Sequence, residues 1–172
     1  MDGTAAPAFS GPTPRGRKGE IAPTGPLPIE GATEVDLPVE QMWEAFCDVR
    51  SWPRWNPCIW RARVLGGELR SGARLAWVFN PIERRYLYKL PAVAEIVEFE
   101  PHERVTWEVK APGLHALHSY RFAASGPSRC RFGSWEVAEG PGYRSTQRFW
   151  IAHFRFVCRS SLEGAQALAS GD

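Results

Sequence analysis

The side chains in this 172-residue chain that could do chemistry together are Glu136, His118 and Tyr120. In the run from Arg131 to Gly140, an alternating strand places Glu136 on one face with Phe132, Ser134 and Ala138. From Leu114 to Phe122 the same parity groups His118 and Tyr120 with Leu114, Ala116 and Phe122. If both faces look into one interior, a carboxyl, an imidazole and a phenol converge in an apolar pocket. Desolvation raises the pKa of such a carboxyl, which is how a general acid or base is made. With an imidazole beside it, the set suffices for enolisation, aldol closure or dehydration. Two plainer roles stand against this one. Glu136 could pair with an Arg such as Arg148 or Arg155 as a strut, and His118 and Tyr120 could be satisfied polar groups that give the pocket hydrogen-bonding specificity, the simpler reading of those two.

Other chemistries find less support. The four His and four Cys show no HxH, HExxH or CxxC spacing, so neither a metal nor a cofactor is expected. Cys47, Cys58, Cys130 and Cys158 read as small buried hydrophobes. Ser134, Ser160 and Ser161 lack a nucleophile-elbow context. His115 falls on the outward parity of its strand, and His153 lies one step from Phe154 on the last helix, where it could face either way.

The elements that must position these residues follow from periodicity. Residues 1–28 carry six Pro and five Gly and few large apolar groups, the composition of a disordered tail, so the folded domain is expected over 29–172. A strand at Ala32–Leu37 precedes an amphipathic helix over 38–49, with Val39, Met42, Trp43, Phe46 and Cys47 on one face. The proline-bound stretch Ser51–Pro57 predicts a single helical turn projecting Trp52 and Trp55, candidates for a pocket mouth. The period then changes to two: Trp60, Ala62 and Val64 alternate with Arg61 and Arg63, as Val105, Trp107 and Val109 do with Thr106, Glu108 and Lys110. Turn signals divide residues 58–138 into about six strands, with a bulge or break expected at Pro91. From Ser145 to Ala169 there is no Pro, and Trp150, Phe154, Val157 or Cys158, Ser161, Ala165 and Leu168 mark one face of a long closing helix. This order is α+β and lacks the βαβ alternation of a nucleotide-binding sheet. A seven-stranded antiparallel sheet burying one face must curl around that helix, and a cavity between them is the natural consequence.

Composition narrows the function classes. Eighteen Arg and three Lys are balanced by nineteen acids, giving a net charge of +2 without long basic blocks, so nucleic acid is not an expected partner. No apolar stretch reaches the length of a membrane span and the first residues do not form a signal peptide, so a cytoplasmic protein is expected. Arg144, Arg148, Arg155 and Arg159 form a basic series on the last helix, by default a solvated face and alternatively a docking face for an acyl carrier protein, another protein or an anionic membrane.

The strings Val35–Pro57 (VDLPVEQMWEAFCDVRSWPRWNP), Pro101–Trp107 (PHERVTW), His118–Phe122 (HSYRF) and Arg131–Gly140 (RFGSWEVAEG), in this order, resemble the START-like (SRPBCC) superfamily in its polyketide cyclase/dehydrase branch. The resemblance covers about residues 32–168. It implies a helix-grip fold, a hydrophobic tunnel under the long helix and a Glu at the position of Glu136. It also implies either cyclisation or dehydration of polyketide intermediates or the carriage of lipids and other apolar ligands; fold alone does not choose. The expected ligand-binding set is Trp52, Trp55, Trp77, Phe79, Trp107, Phe122, Ser134, Trp150 and Phe154, around a polyketide-, lipid- or quinone-like molecule. The alternatives are a non-catalytic carrier and a protein-interaction or regulatory module. An apolar pocket on the order of several hundred Å³ with convergent polar groups supports small-molecule binding, and a filled core supports the interaction module.

Overall fold

A computed structural model describes residues 27–82 and 89–170. The expected tail thus lies outside the described residues except for Leu27 and Pro28, and Leu27 is buried against the domain. The first strand, β1, is Ile29–Val35. Helix α1, Val39–Cys47, buries Val39, Met42, Trp43 and Phe46, the i, i+3, i+4, i+7 stripe of its sequence. A 3-10 turn at Val49–Ser51 leads into α2, Trp52–Trp55, whose second residue is Pro53. Proline there needs no amide hydrogen, which is why so short a helix tolerates it. The Trp52 indole N–H donates to the Phe46 carbonyl at 2.7 Å and ties α2 back to α1.

Strands β2 (Ile59–Leu65), β3 (Arg74–Phe79), β4 (Leu90–Glu100), β5 (Arg104–Ala111), β6 (Leu114–Gly126) and β7 (Arg129–Glu139) follow. All neighbours are antiparallel, in the order β1-β7-β6-β5-β4-β3-β2, a curled half-barrel. After β7 the chain makes a short helix α3 (Pro141–Ser145) and the closing helix α4 (Gln147–Ser170), which packs on β1, β7 and α2. This is the helix-grip arrangement that the element order implied.

Three local expectations change. Trp60 does not share the inner face with Ala62: the register of β2 against β3 shifts between Ile59 and Arg61, and the extra residue turns Trp60 outward, 52% exposed. Pro91 does not break a strand; it sits at the start of β4, and the irregularity in that strand falls between Ile96 and Glu98. Helix α3 was not expected, because Gly140-Pro141-Gly142 reads as loop. Gly140 has φ 113°, and a Cβ there would meet the Gly113 carbonyl at 2.5 Å, so the turn between β5 and β6 docks directly on the start of α3.

The core is continuous from α1 across the inner face of the sheet. Phe46 packs against Tyr120, Phe122 and Phe132 with ring centroids 5.1, 5.2 and 6.3 Å away. Helix α4 is buried on more than the single predicted stripe, since His153, Phe156 and Ser160 are enclosed along with Phe154, Val157 and Ser161. It is gripped by the sheet on one side and by α2 and the β2–β4 end on the other. At Gly164 the approach is closest: a Cβ would lie 1.9 Å from the Trp55 carbonyl oxygen, so only glycine fits.

Candidate functional site

The inward parity expected for β5, β6 and β7 puts Trp107, His118 and Glu136 in one row, each directly opposite the next in register. Tyr120 and Ser134 form the adjacent row. Trp107, His118, Tyr120 and Glu136 line a cavity of about 50 Å³ between the sheet, α2 and α4. Of the expected ligand-binding set, Trp52, Trp55, Trp77, Phe79 and Trp107 line it. Phe122, Trp150 and Phe154 do not; they are packed in the core clusters or against them. Ser134 stands behind the wall and bonds His118. Trp52 and Trp55 are not at a mouth: they are 4% and 7% exposed and form part of the wall, because the docking of α2 onto α4 at Gly164 encloses both rings. Trp77 is the half-buried ring of the lining.

The cavity is far smaller than the several hundred Å³ that a ready-made ligand pocket would have. Its volume suits a few water molecules, so a larger ligand enters only if aromatic side chains move.

Glu136 is buried, and desolvation raises its pKa well above the usual carboxylate value. Neither Arg148 nor Arg155 supports it: both are exposed, and Glu136 Oε2 has no hydrogen-bond partner among the described residues. The strut role is therefore not what the structure shows. His118 Nδ1 lies 3.8 Å from that oxygen, and His118 Nε2 is 2.9 Å from Ser134 Oγ. Burial, with the nearby His153, pushes the His118 pKa down to about 3. Burial thus disfavours the charged form of both carboxyl and imidazole.

Tyr120 is committed elsewhere. Ser161 Oγ donates to the Val157 carbonyl at 2.8 Å, which leaves it an acceptor for the Tyr120 hydroxyl at 2.7 Å and for Asn56 Nδ2 at 3.1 Å. The Tyr120 proton is therefore turned toward α4 and away from any ligand. Burial raises its pKa well above 10, against the lowering effect of the Ser161 bond. Tyr120 fastens sheet to helix.

Sequence reasoning missed Asn56, Cys58 and the orientation of His153. All three line the cavity. His153 Nδ1 donates to the Pro81 carbonyl at 2.7 Å, and burial pushes its pKa down to about 4. His115 is on the outer face as expected, between Glu108 at 2.5 Å and Glu139 at 3.3 Å. Among the described residues no cluster of three or more His, Cys, Asp or Glu could hold a metal ion, and no helix is long and apolar enough to cross a membrane.

The sequence matches the family described as polyketide cyclase/dehydrase and lipid transport over residues 28–169. The chain belongs to this family. No curated protein matches it by sequence. Solved structures of the polyketide cyclase/dehydrase and START type share its fold at low identity. The di-domain aromatase/cyclase BexL, from the BE-7585A biosynthetic pathway, superposes with a TM-score of 0.64 at 15% identity; the match covers 82% of this chain and 45% of BexL. This chain thus spans less than half of that two-domain protein. The Zhui aromatase/cyclase from Streptomyces sp. R1128 gives 0.62 at 14% identity, covering 84% of this chain and 93% of Zhui. A START superfamily protein from Mycobacterium smegmatis gives 0.61 at 13%, covering 82% and 98%. Such identities establish the fold of this polyketide cyclase/dehydrase family member and leave its ligand to be argued from its own residues.

Proposed function

We propose that this protein binds a hydrophobic small molecule, polyketide-, lipid- or quinone-like, in the cavity under α4 and acts on it by general acid–base chemistry, as a cyclase or dehydratase does. The observation that carries the reading is Glu136: a carboxyl whose pKa burial raises, in the wall of a largely aromatic cavity, with Oε2 unpartnered. A buried polar atom left unpaired costs about 1–3 kcal/mol, and such atoms are kept where they serve a ligand or a reaction. In a dehydration, Glu136 gives its proton to a leaving hydroxyl as the C–O bond breaks and water departs. The C–H bond on the neighbouring carbon breaks, its electron pair forms the C=C bond, and its proton passes to the Glu136 carboxylate, directly or through the His118 imidazole at 3.8 Å, which restores the acid. The ring surfaces of Trp52, Trp55 and Trp107 supply the apolar contact. Admission requires a wall residue to swing aside, and the half-buried Trp77 is the aromatic ring of the lining with most room to do so.

Native mass spectrometry of the purified protein, followed by extraction of co-purifying molecules, tests binding. The expected result is a bound apolar molecule that Glu136→Gln retains and no longer converts. A protein that is empty and takes up no polyketide, quinone, sterol or fatty acyl compound would overturn the reading. The small volume of the cavity favours a second reading, in which the protein is a non-catalytic protein-interaction or regulatory module; a wild-type protein that neither retains nor converts any of these compounds would support it.

A further inference from the structure

Two further polar atoms belong to residues of the cavity wall and have no role in the reading above. The first is on His153. A carbonyl can only accept, so the contact with Pro81 at 2.7 Å fixes the proton on Nδ1 and leaves the lone pair on Nε2. The Phe79 ring stacks on the imidazole with centroids 4.6 Å apart and planes at 29°, which fixes its orientation. The second is the indole N–H of Trp55, buried without a partner, whereas the same atom of Trp52 is satisfied by the Phe46 carbonyl. An indole N–H can only donate. The residue with the lone acceptor and the residue with the unpartnered donor thus line the same cavity. An enolising ketone needs this combination: a base at the carbon that loses its proton, and a donor at the oxygen that gains charge.

We propose that His153 is a general base of this site, taking a proton from the carbon beside a ligand carbonyl whose oxygen the Trp55 N–H holds. The C–H bond breaks, its electron pair forms the C=C bond of the enolate, and the carbonyl π pair moves onto oxygen. The proton resides on His153 Nε2 until it returns to carbon or passes to oxygen, which restores the neutral ring. This rests on the reading that the cavity takes a ligand, and it names that ligand as an enolisable carbonyl compound rather than a simple acyl chain.

The probe is 2-indanone, a compact ketone, incubated with the full chain in D2O. Proton NMR follows deuterium uptake at its α carbons, and saturation transfer reports binding. His153→Asn keeps a δ-nitrogen donor for Pro81 and removes Nε2. We expect it to bind 2-indanone within about two-fold of wild type and to exchange about 100-fold more slowly. Trp55→Phe should slow exchange by about 10- to 100-fold. Nitrogen-15 spectra of the imidazoles should show His153 protonated at Nδ1, with its Nε2 signal moving when 2-indanone is added. Unchanged exchange in His153→Asn, or an unmoved Nε2 signal, would overturn the proposal. Exchange lost in Glu136→Gln but kept in His153→Asn overturns it while leaving the proposed function standing; no saturation transfer in wild type removes both.

Discussion

Glu136, His118 and His153 are three ionisable groups that burial keeps neutral, and they pull the stability of the protein in opposite directions with pH. The Glu136 pKa is raised from 4.5, so above that pH the unfolded chain sheds its proton while the folded one holds it, and stability falls as pH rises toward the folded value. The His118 and His153 pKa values are lowered from 6.5 to about 3 and about 4, so below 6.5 the unfolded chain takes up protons that the folded one refuses. Each group contributes a slope of about 1.4 kcal/mol per pH unit in its window. Between 4.5 and 6.5 the carboxyl and the two histidines thus pull in opposite directions. Glu136→Gln should remove the carboxyl's destabilising slope above pH 4.5, and its advantage over wild type should vanish below about pH 4.5, as urea denaturation across pH will show. An advantage that persists at pH 4 would mean that the carboxyl is not the cause. The inward placement of Glu136 and His118 was legible because a strand has a period of two. The orientation of His153 was not, since its fixing partner, Pro81, is 72 positions away in sequence and is a backbone carbonyl that no residue type announces.

At the scale of elements, the contact of α2 with α4 decides whether a cavity exists. Gly164→Ala would raise intrinsic helix propensity by about 1 kcal/mol, yet its methyl would collide with the Trp55 carbonyl backbone. A net loss of about 2–3 kcal/mol is expected, with a lower Tm in calorimetry; a Tm gain would contradict the close approach. Ser161 is the polar counterpart of that contact. Ser161→Ala strands the buried Tyr120 hydroxyl and the Asn56 amide and should cost about 2–4 kcal/mol. Tyr120→Phe made in the Ser161→Ala background should recover part of it, and a double-mutant cycle with no coupling would contradict the bond. The helices α1 and α4 were readable from apolar spacing. The docking of α2 was not, because a four-residue helix has no period to read and Gly164 looks like an ordinary helix-weakening residue until its neighbour is seen.

Across the whole molecule, the helix-grip fold was legible in the order of its elements, since strand, short helices, six hairpin-linked strands and long helix leave few ways to bury one sheet face. The size of the cavity was not, because it depends on how the aromatic rings of separate elements interlock. Trp77→Ala should enlarge it, increase uptake of bulky apolar ligands and lower stability by about 1–3 kcal/mol. An unchanged ligand range would show that entry lies elsewhere. The outward turn of Trp60 has a further consequence of an optical kind. Of the eight tryptophans it is the large, exposed one, and Arg61 and Lys89 lie over its ring at 5.3 and 4.8 Å. Iodide, drawn by those cations, should quench the red edge of the fluorescence and leave the blue emission of the cavity rings intact, whereas caesium, repelled by them, should quench neither. Trp60→Phe would then give a protein whose remaining emission reports chiefly on its interior.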